Sequence, residues 1–258
     1  INVADDEVPA VVGSLVENEE DVDRLAVPLP TSGRTGLYVQ APKKAAELIS
    51  DRPVLAGVSG PFSLAGRLMD MSEIMVNCYD EPDMVHKTLA KTTEFITSYI
   101  GEYKKIGAHG VVMAEPAAGL LSPDLYEEFS SQYVKKIIDA VRGDDFLFIY
   151  HNCGNTIPLR DSMFALGADG YHLGNAIDIE EMLKLAPGEA LIKGNLDPTG
   201  MFRAETPEWV RRETLGLVER YPKHPDWGIW SGCDMPPLNP WENIGAFVGA
   251  IDEYYGRK

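Results

Sequence analysis

The chain has 258 residues, enough for one large α/β domain or two small ones. It carries 23 Lys plus Arg against 40 Asp plus Glu, a net charge of −17. So acidic a body repels phosphate backbones, which argues against general nucleic-acid binding. Mean hydropathy is −0.15, and no run approaches the roughly 18 apolar residues of a membrane span, so no membrane partner is expected. Three widely spaced cysteines, Cys78, Cys153 and Cys233, exclude a disulfide scaffold and point to a reducing compartment, so a cytoplasmic location is expected. The chain opens at Ile1 with no leader pattern behind it, and an N-terminal part is expected to precede it.

Residues 1–53 read as a helical and loop segment leading into the main body. Glu17–Leu25 predicts a short helix. Pro28, Pro30 and Gly33 break the next stretch, and Pro42–Ser50 predicts a second helix with Pro42 in its first turn. A rhythm then sets in of short apolar runs ending in polar residues or glycine, each followed by a helix. The runs are Pro53–Val58, Val111–Ala114, Phe146–Tyr150, Gly170–Leu173, Leu191–Lys193 and Trp227–Trp230, the pattern of buried parallel strands. Between them, apolar positions at near 3.6 spacing predict a helix over Thr88–Ile106, and Leu125, Phe129, Tyr133, Ile137 and Val141 predict another. Ser122-Pro123, Thr206-Pro207 and Asn239-Pro240 read as N-caps with proline at the first helical position, the last with Glu242 as a capping box. Repeated strand–helix units without a linker predict one domain over 1–258, a (β/α)8 TIM-type barrel lacking part of its N-terminal elements. The doubly wound sheet is the alternative. The barrel is preferred because chemistry-bearing residues follow nearly every strand.

His151 and Cys153 lie two apart at a strand end, and i and i+2 of an extended chain share a face. Cys233 lies just past the last strand. If these strand ends face one way, one imidazole and two thiols converge on an ion and leave a fourth position open, the pattern of a catalytic zinc. The plainer reading is two ordinary buried cysteines and a strand-end histidine. Cys78, His86, His109 and His224 are expected in core, surface or loop roles. His172 ends a strand and is a core residue, a partner of a metal ligand or a substrate contact. Glu115 and Asp197 each precede proline at a strand end, where they act as site acids or hold a loop or helix N-terminus.

Five stretches together resemble the uroporphyrinogen decarboxylase superfamily, in its branch of zinc-dependent corrinoid methyltransferases. They are Gly60-Pro61-Phe62-Ser63-Leu64-Ala65, Glu115-Pro116 with Leu121-Ser122-Pro123, His151-Asn152-Cys153-Gly154-Asn155-Thr156, Gly194-Asn195-Leu196-Asp197-Pro198, and Gly232-Cys233-Asp234-Met235-Pro236-Pro237 with Glu242-Asn243. The resemblance runs from about residue 54 to the end. It implies a barrel fold and zinc held by His151, Cys153 and Cys233. Glu115, Asp197 and His172 are the candidate catalytic residues, and Phe62, Asn155 and Asn195 the candidate cofactor contacts. Where the coenzyme M enzymes of that branch have an acidic residue after the strand ending here at His172, this chain has Gly174 and Asn175. That leaves the fourth zinc position to His172, Glu115 or water.

The activity so implied is transfer of a methyl group from a methylated corrinoid, supplied by a corrinoid protein partner, to a small acceptor: a thiol such as coenzyme M, or a folate. Decarboxylation of a carboxylated tetrapyrrole is the second reading; it needs cationic residues, of which Arg67 is the clear candidate. A non-catalytic corrinoid- or zinc-binding protein is the third.

Overall fold

The computed structural model describes residues 13–256 apart from 189, 222, 223 and 225. The first twelve residues of the expected N-terminal segment, and the prolines beside His224, lie outside the described residues. In chain order the elements are α1 (Glu19–Arg24), α2 (Thr35–Leu48), β1 (Leu55–Ser59), α3 (Pro61–Met69), α4 (Met71–Asp80), α5 (Pro82–Lys105), β2 (Gly110–Ala114), α6 (Pro123–Tyr126), α7 (Gln132–Val141), β3 (Leu147–Asn152), α8 (Arg160–Phe164), β4 (Gly170–Leu173), α9 (Ile179–Leu185), β5 (Leu191–Lys193), α10 (Pro207–Arg220), β6 (Trp227–Gly228) and α11 (Trp241–Tyr254). The strands join one sheet in sequence order, β1-β2-β3-β4-β5-β6. This is the order of the TIM-type (β/α)8 barrel class, with six strands among the described residues.

Residue contacts divide the chain into two units, Gly13–Asn152 with Pro158–Gly170, and a second that includes Cys153–Ile157 and Tyr171 onward. In the first, β1 pairs parallel with β2, Ala56 opposite Val111, and β2 with β3, Val112 opposite Ile149. Helix α5 buries Val85, Leu89, Ile96, Ile100 and Tyr103 on one stripe. Each such side chain contributes on the order of 2 kcal/mol of hydrophobic stabilisation. In the second unit β5 pairs parallel with β6, Ile192 opposite Trp227, and α10 packs on α11.

Several boundaries differ from the sequence expectation for local reasons. Helix α2 begins at Thr35 and carries Pro42 inside it. It is largely exposed, so the lost hydrogen bond leaves no polar group in a dry core. The helix expected through Leu125 and Val141 is interrupted by one π turn at Glu127–Ser131, which side-chain periodicity does not reveal. Ser122 and Thr206 cap as expected, accepting from Leu125 N at 3.4 Å and Trp209 N at 3.3 Å. Asn239 does not: Pro240 is the N-cap of α11, with no side-chain cap bond. The last strand pairs formally only over Trp227–Gly228, yet the pairing resumes beyond it. Leu196 N donates to Trp230 O at 3.1 Å, and Gly232 N donates to Leu196 O at 2.5 Å.

The histidines and cysteine set aside by the sequence take structural places. His86 stacks on Phe129 and its Nδ1 lies 2.8 Å from the Tyr133 hydroxyl. His109 Nδ1 accepts from Val54 N at 3.0 Å, and His224 is exposed. Cys78 is buried, and burial pushes its thiol up to about 12. Among the described residues no helix is long and apolar enough to cross a membrane.

Candidate metal centre

β3 ends at Asn152, which leaves His151 inside the strand and Cys153 on the first residue beyond it. The extended chain therefore turns both side chains to one face. Cys233 comes from the loop that Gly232 ties to Leu196. One ligand atom each from His151, Cys153 and Cys233 lies within 4.8 Å of the others. With Zn–S near ~2.3 Å and Zn–N near ~2.0 Å, the edges of a tetrahedral site are roughly 3.5–3.8 Å, so the three groups need close by only about an ångström. His151 is buried and both thiols are half-buried. The Cys153 thiol is pushed well up from its ordinary range, first by its hydrogen bond to Cys233 and then by burial. Two thiols held together, each opposing ionisation of the other, are a donor set that a divalent cation relieves. The residues therefore fit zinc.

Glycines let the backbones close on this group. A Cβ at Gly174 would sit 2.5 Å from the Cys153 Cα and 2.7 Å from its Cβ; one at Gly232 would sit 2.8 Å from Asn175 N. Gly174, lacking a side chain, gives Cys153 its room.

His172, at the C-terminal end of β4, is buried and does not join the three ligand atoms. Its Nε2 lies 2.6 Å from Ser231 O, and its ring meets Trp230 edge-on at 4.9 Å. It thus holds the backbone two residues before Cys233. Glu115 is fully buried. Its carboxylate accepts from Phe62 N at 2.7 Å, Ser63 N at 3.1 Å and Ser130 Oγ at 3.3 Å, so it caps the N-terminus of α3. Desolvation outweighs these bonds and pushes its pKa up to about 7. Its backbone N–H donates to His151 O at 2.9 Å, and its carbonyl accepts from Asn152 Nδ2 at 2.8 Å. Glu115 therefore braces the end of β3.

Asp197 is exposed, and its Oδ1 accepts from Thr199 N and Gly200 N, both at 2.9 Å, which closes the turn after Leu196. Asn195 donates through Nδ2 to Gly174 O at 3.0 Å and Ile177 O at 2.9 Å. Phe62 has no exposed surface, whereas Asn155 is exposed two residues after Cys153. Arg67 is exposed near the end of α3.

The sequence reading missed Lys193 and Trp230. Lys193 is the last residue of β5, and its Nζ lies 4.2 Å from the centroid of the Trp230 ring. Burial pulls its pKa down. A lysine closing an apolar strand was the available signal.

Comparison with known proteins gives the family. The family model described as uroporphyrinogen decarboxylase (URO-D) matches residues 1–254. A methylcobamide:CoM methyltransferase, MtbA of Methanosarcina acetivorans, is 28% identical over 95% of this chain and 72% of its own. A uroporphyrinogen decarboxylase of Pseudomonas fluorescens is 29% identical over 93% of this chain and 69% of its own. The solved structure of a methyltransferase from Methanosarcina mazei superposes with a TM-score of 0.86 at 25% identity, covering 97% of this chain and 73% of that one.

Proposed function

The chain belongs to the uroporphyrinogen decarboxylase family, and on that premise we propose that it is a zinc-dependent methyltransferase. It moves a methyl group from a methylated corrinoid, carried by a partner protein, to a small thiol. The observation that carries this reading is the convergence of one imidazole and two thiols, a donor set suited to zinc with one position left for an acceptor. The similarity to a methylcobamide:CoM methyltransferase supports it.

Zinc held by His151, Cys153 and Cys233 would supply a Lewis acid that keeps a thiol ionised at neutral pH. The chain's own residues do the rest. His172 and Gly174 are positioning residues that fix Cys233 and Cys153. Glu115 braces His151. Asn155, exposed two residues after Cys153, is a polar side chain open to a corrinoid, as is Asp234, exposed beside Cys233. Asp197 contributes negative charge on the exposed side of its turn. In the transfer itself the thiol sulfur bonds to the methyl carbon as the cobalt–carbon bond breaks. The electron pair stays on cobalt, and the thiol proton leaves to solvent or a base.

Decarboxylation is the competing reading, carried by relatives of similar identity. Paired assays separate the two: demethylation of methylcobalamin by a thiol, followed by absorbance, against release of carbon dioxide from uroporphyrinogen. The proposal expects the first and not the second. The reverse result would make the chain a lyase, and neither activity with zinc bound would leave a binding protein.

A further inference from the structure

The chain's three cysteines are all thiols, and they differ in where they sit. Cys78 lies in α4, buried, and burial pushes its thiol up to about 12. A buried thiol held neutral is inert. Cys153 and Cys233 are only half-buried, so a small solute reaches them. Far apart in the chain, they come together in the fold. Their sulfurs lie within 4.8 Å of one another, and the Cys153 thiol is hydrogen-bonded to Cys233. A disulfide needs its two sulfurs at about 2.0 Å. A side chain that turns from one χ1 well to the next carries its sulfur roughly 3 Å. The gap between this pair is thus one that side-chain rotation closes. Gly174, which presents no side chain to Cys153, leaves that rotation room.

Proximity decides what an oxidant does here. A thiol oxidised alone stops at a sulfenic acid or climbs on to irreversible acids, whereas a neighbouring thiol captures the sulfenic acid first. With hydrogen peroxide as the oxidant, one cysteine sulfur, as thiolate, attacks a peroxide oxygen. The O–O bond breaks, the hydroxide that leaves takes up a proton, and the cysteine becomes a sulfenic acid. The second sulfur then attacks the first. The S–S bond forms, the S–O bond breaks, and a second water leaves. Two thiols and one peroxide become one disulfide and two waters, with two electrons passing from sulfur to oxygen. The product has no thiolate left to offer a metal, so two of the three donors of the centre are spent in one event. A disulfide at a half-buried position stays open to a reducing dithiol, which returns both donors.

We propose that Cys153 and Cys233 are a reversible oxidation site, where a peroxide closes a disulfide that excludes the metal and a dithiol reopens it. The pair then serves either a cation or an oxidant, never both, and oxidation switches the centre off. This stands on the two sulfurs and holds whichever reaction the chain performs.

The test treats metal-stripped wild type with a small excess of hydrogen peroxide, blocks the remaining thiols by alkylation after unfolding, and maps the peptides by mass. The expected product is a cross-linked pair of peptides carrying Cys153 and Cys233, with Cys78 alkylated. Dithiothreitol should restore both thiols. Cys78→Ala should cross-link as wild type does. Cys153→Ser should stop at a sulfenic acid on Cys233, trapped by dimedone. Zinc uptake, read with a chromophoric chelator, should weaken more than roughly 100-fold in the oxidised protein and recover on reduction. Separate sulfinic or sulfonic acids on Cys153 and Cys233 without a cross-link, or a cross-link that runs to Cys78 or to a second chain, would overturn the proposal. Reduced protein that cross-links as expected but takes up no zinc would overturn the zinc reading instead and leave the oxidation site standing.

Discussion

His172 at the end of β4 donates its Nε2 proton to the carbonyl of Ser231, 2.6 Å away and two residues before Cys233. A carbonyl only accepts, so this bond places the ring proton on Nε2. It also ties the strand carrying His172 to the loop carrying a metal-site thiol. A site assembled from separate strand ends depends on such ties, because each ligand sits on its own loop.

Replacing His172 by Phe keeps a ring against Trp230 and removes the bond to Ser231. Zinc affinity, read by competition with a chromophoric chelator, should fall roughly 10–100-fold. Stability should fall by about 1–3 kcal/mol, the cost of a carbonyl left unpaired. Unchanged zinc affinity would mean that the Cys233 loop holds itself.

Zinc added to metal-stripped protein at pH 7 should release about two protons, since both thiols enter protonated and bind as thiolates. Calorimetry in two buffers of different ionisation enthalpy reads this number. Cys153→Ser or Cys233→Ser should bring it to about one, with much weaker binding. Zinc that binds wild type with no proton release is not held by these thiols.

Gly174→Ala drives a methyl group into the Cys153 backbone, at 2.5 Å from its Cα. Contacts that short cannot persist, so Cys153 must shift, and a displaced ligand weakens a tetrahedral site. We expect a folded protein with reduced zinc content on elemental analysis. Full zinc occupancy at wild-type affinity would show that the loop moves without cost.

Glu115 links the site to pH. Its pKa rises from the ordinary 4.5 to about 7 in the folded chain, so the native state holds a proton that the unfolded state has released between those values. The corresponding stability is fully present below pH ~4.5 and is lost as pH rises to about 7, on the order of 3 kcal/mol. Glu115→Gln keeps one oxygen acceptor, for either the Phe62 or the Ser63 amide, and removes the titration, so its overall stability falls while the pH dependence is what the test reads. Urea unfolding at pH 5 and pH 8 should show a smaller decline in the variant than in wild type. Equal declines would place the titration elsewhere.

Much of this architecture is legible in the residues. β4 and β5 fall where short, largely apolar runs put them, each running into a glycine, with His172 and Lys193 as the one polar residue inside each. The ligand trio is readable from one strand's i, i+2 geometry and a cysteine past the last apolar run. What escapes is long-range. The destination of the Glu115 carboxylate is set by the amides of Phe62 and Ser63, more than fifty residues away. Lys193 gains meaning only beside Trp230, and a proline inside α2 is tolerated because that helix lies at the surface.

A single zinc at His151, Cys153 and Cys233 is what would make this chain a corrinoid methyltransferase. The decisive experiment titrates zinc into metal-stripped protein while methylcobalamin demethylation by 2-mercaptoethanesulfonate is followed by absorbance. Activity should rise linearly and stop at about one zinc per chain, with none in Cys233→Ala at any zinc level. Demethylation that proceeds equally in the metal-stripped protein, or that survives in Cys233→Ala, would contradict a zinc-centred mechanism.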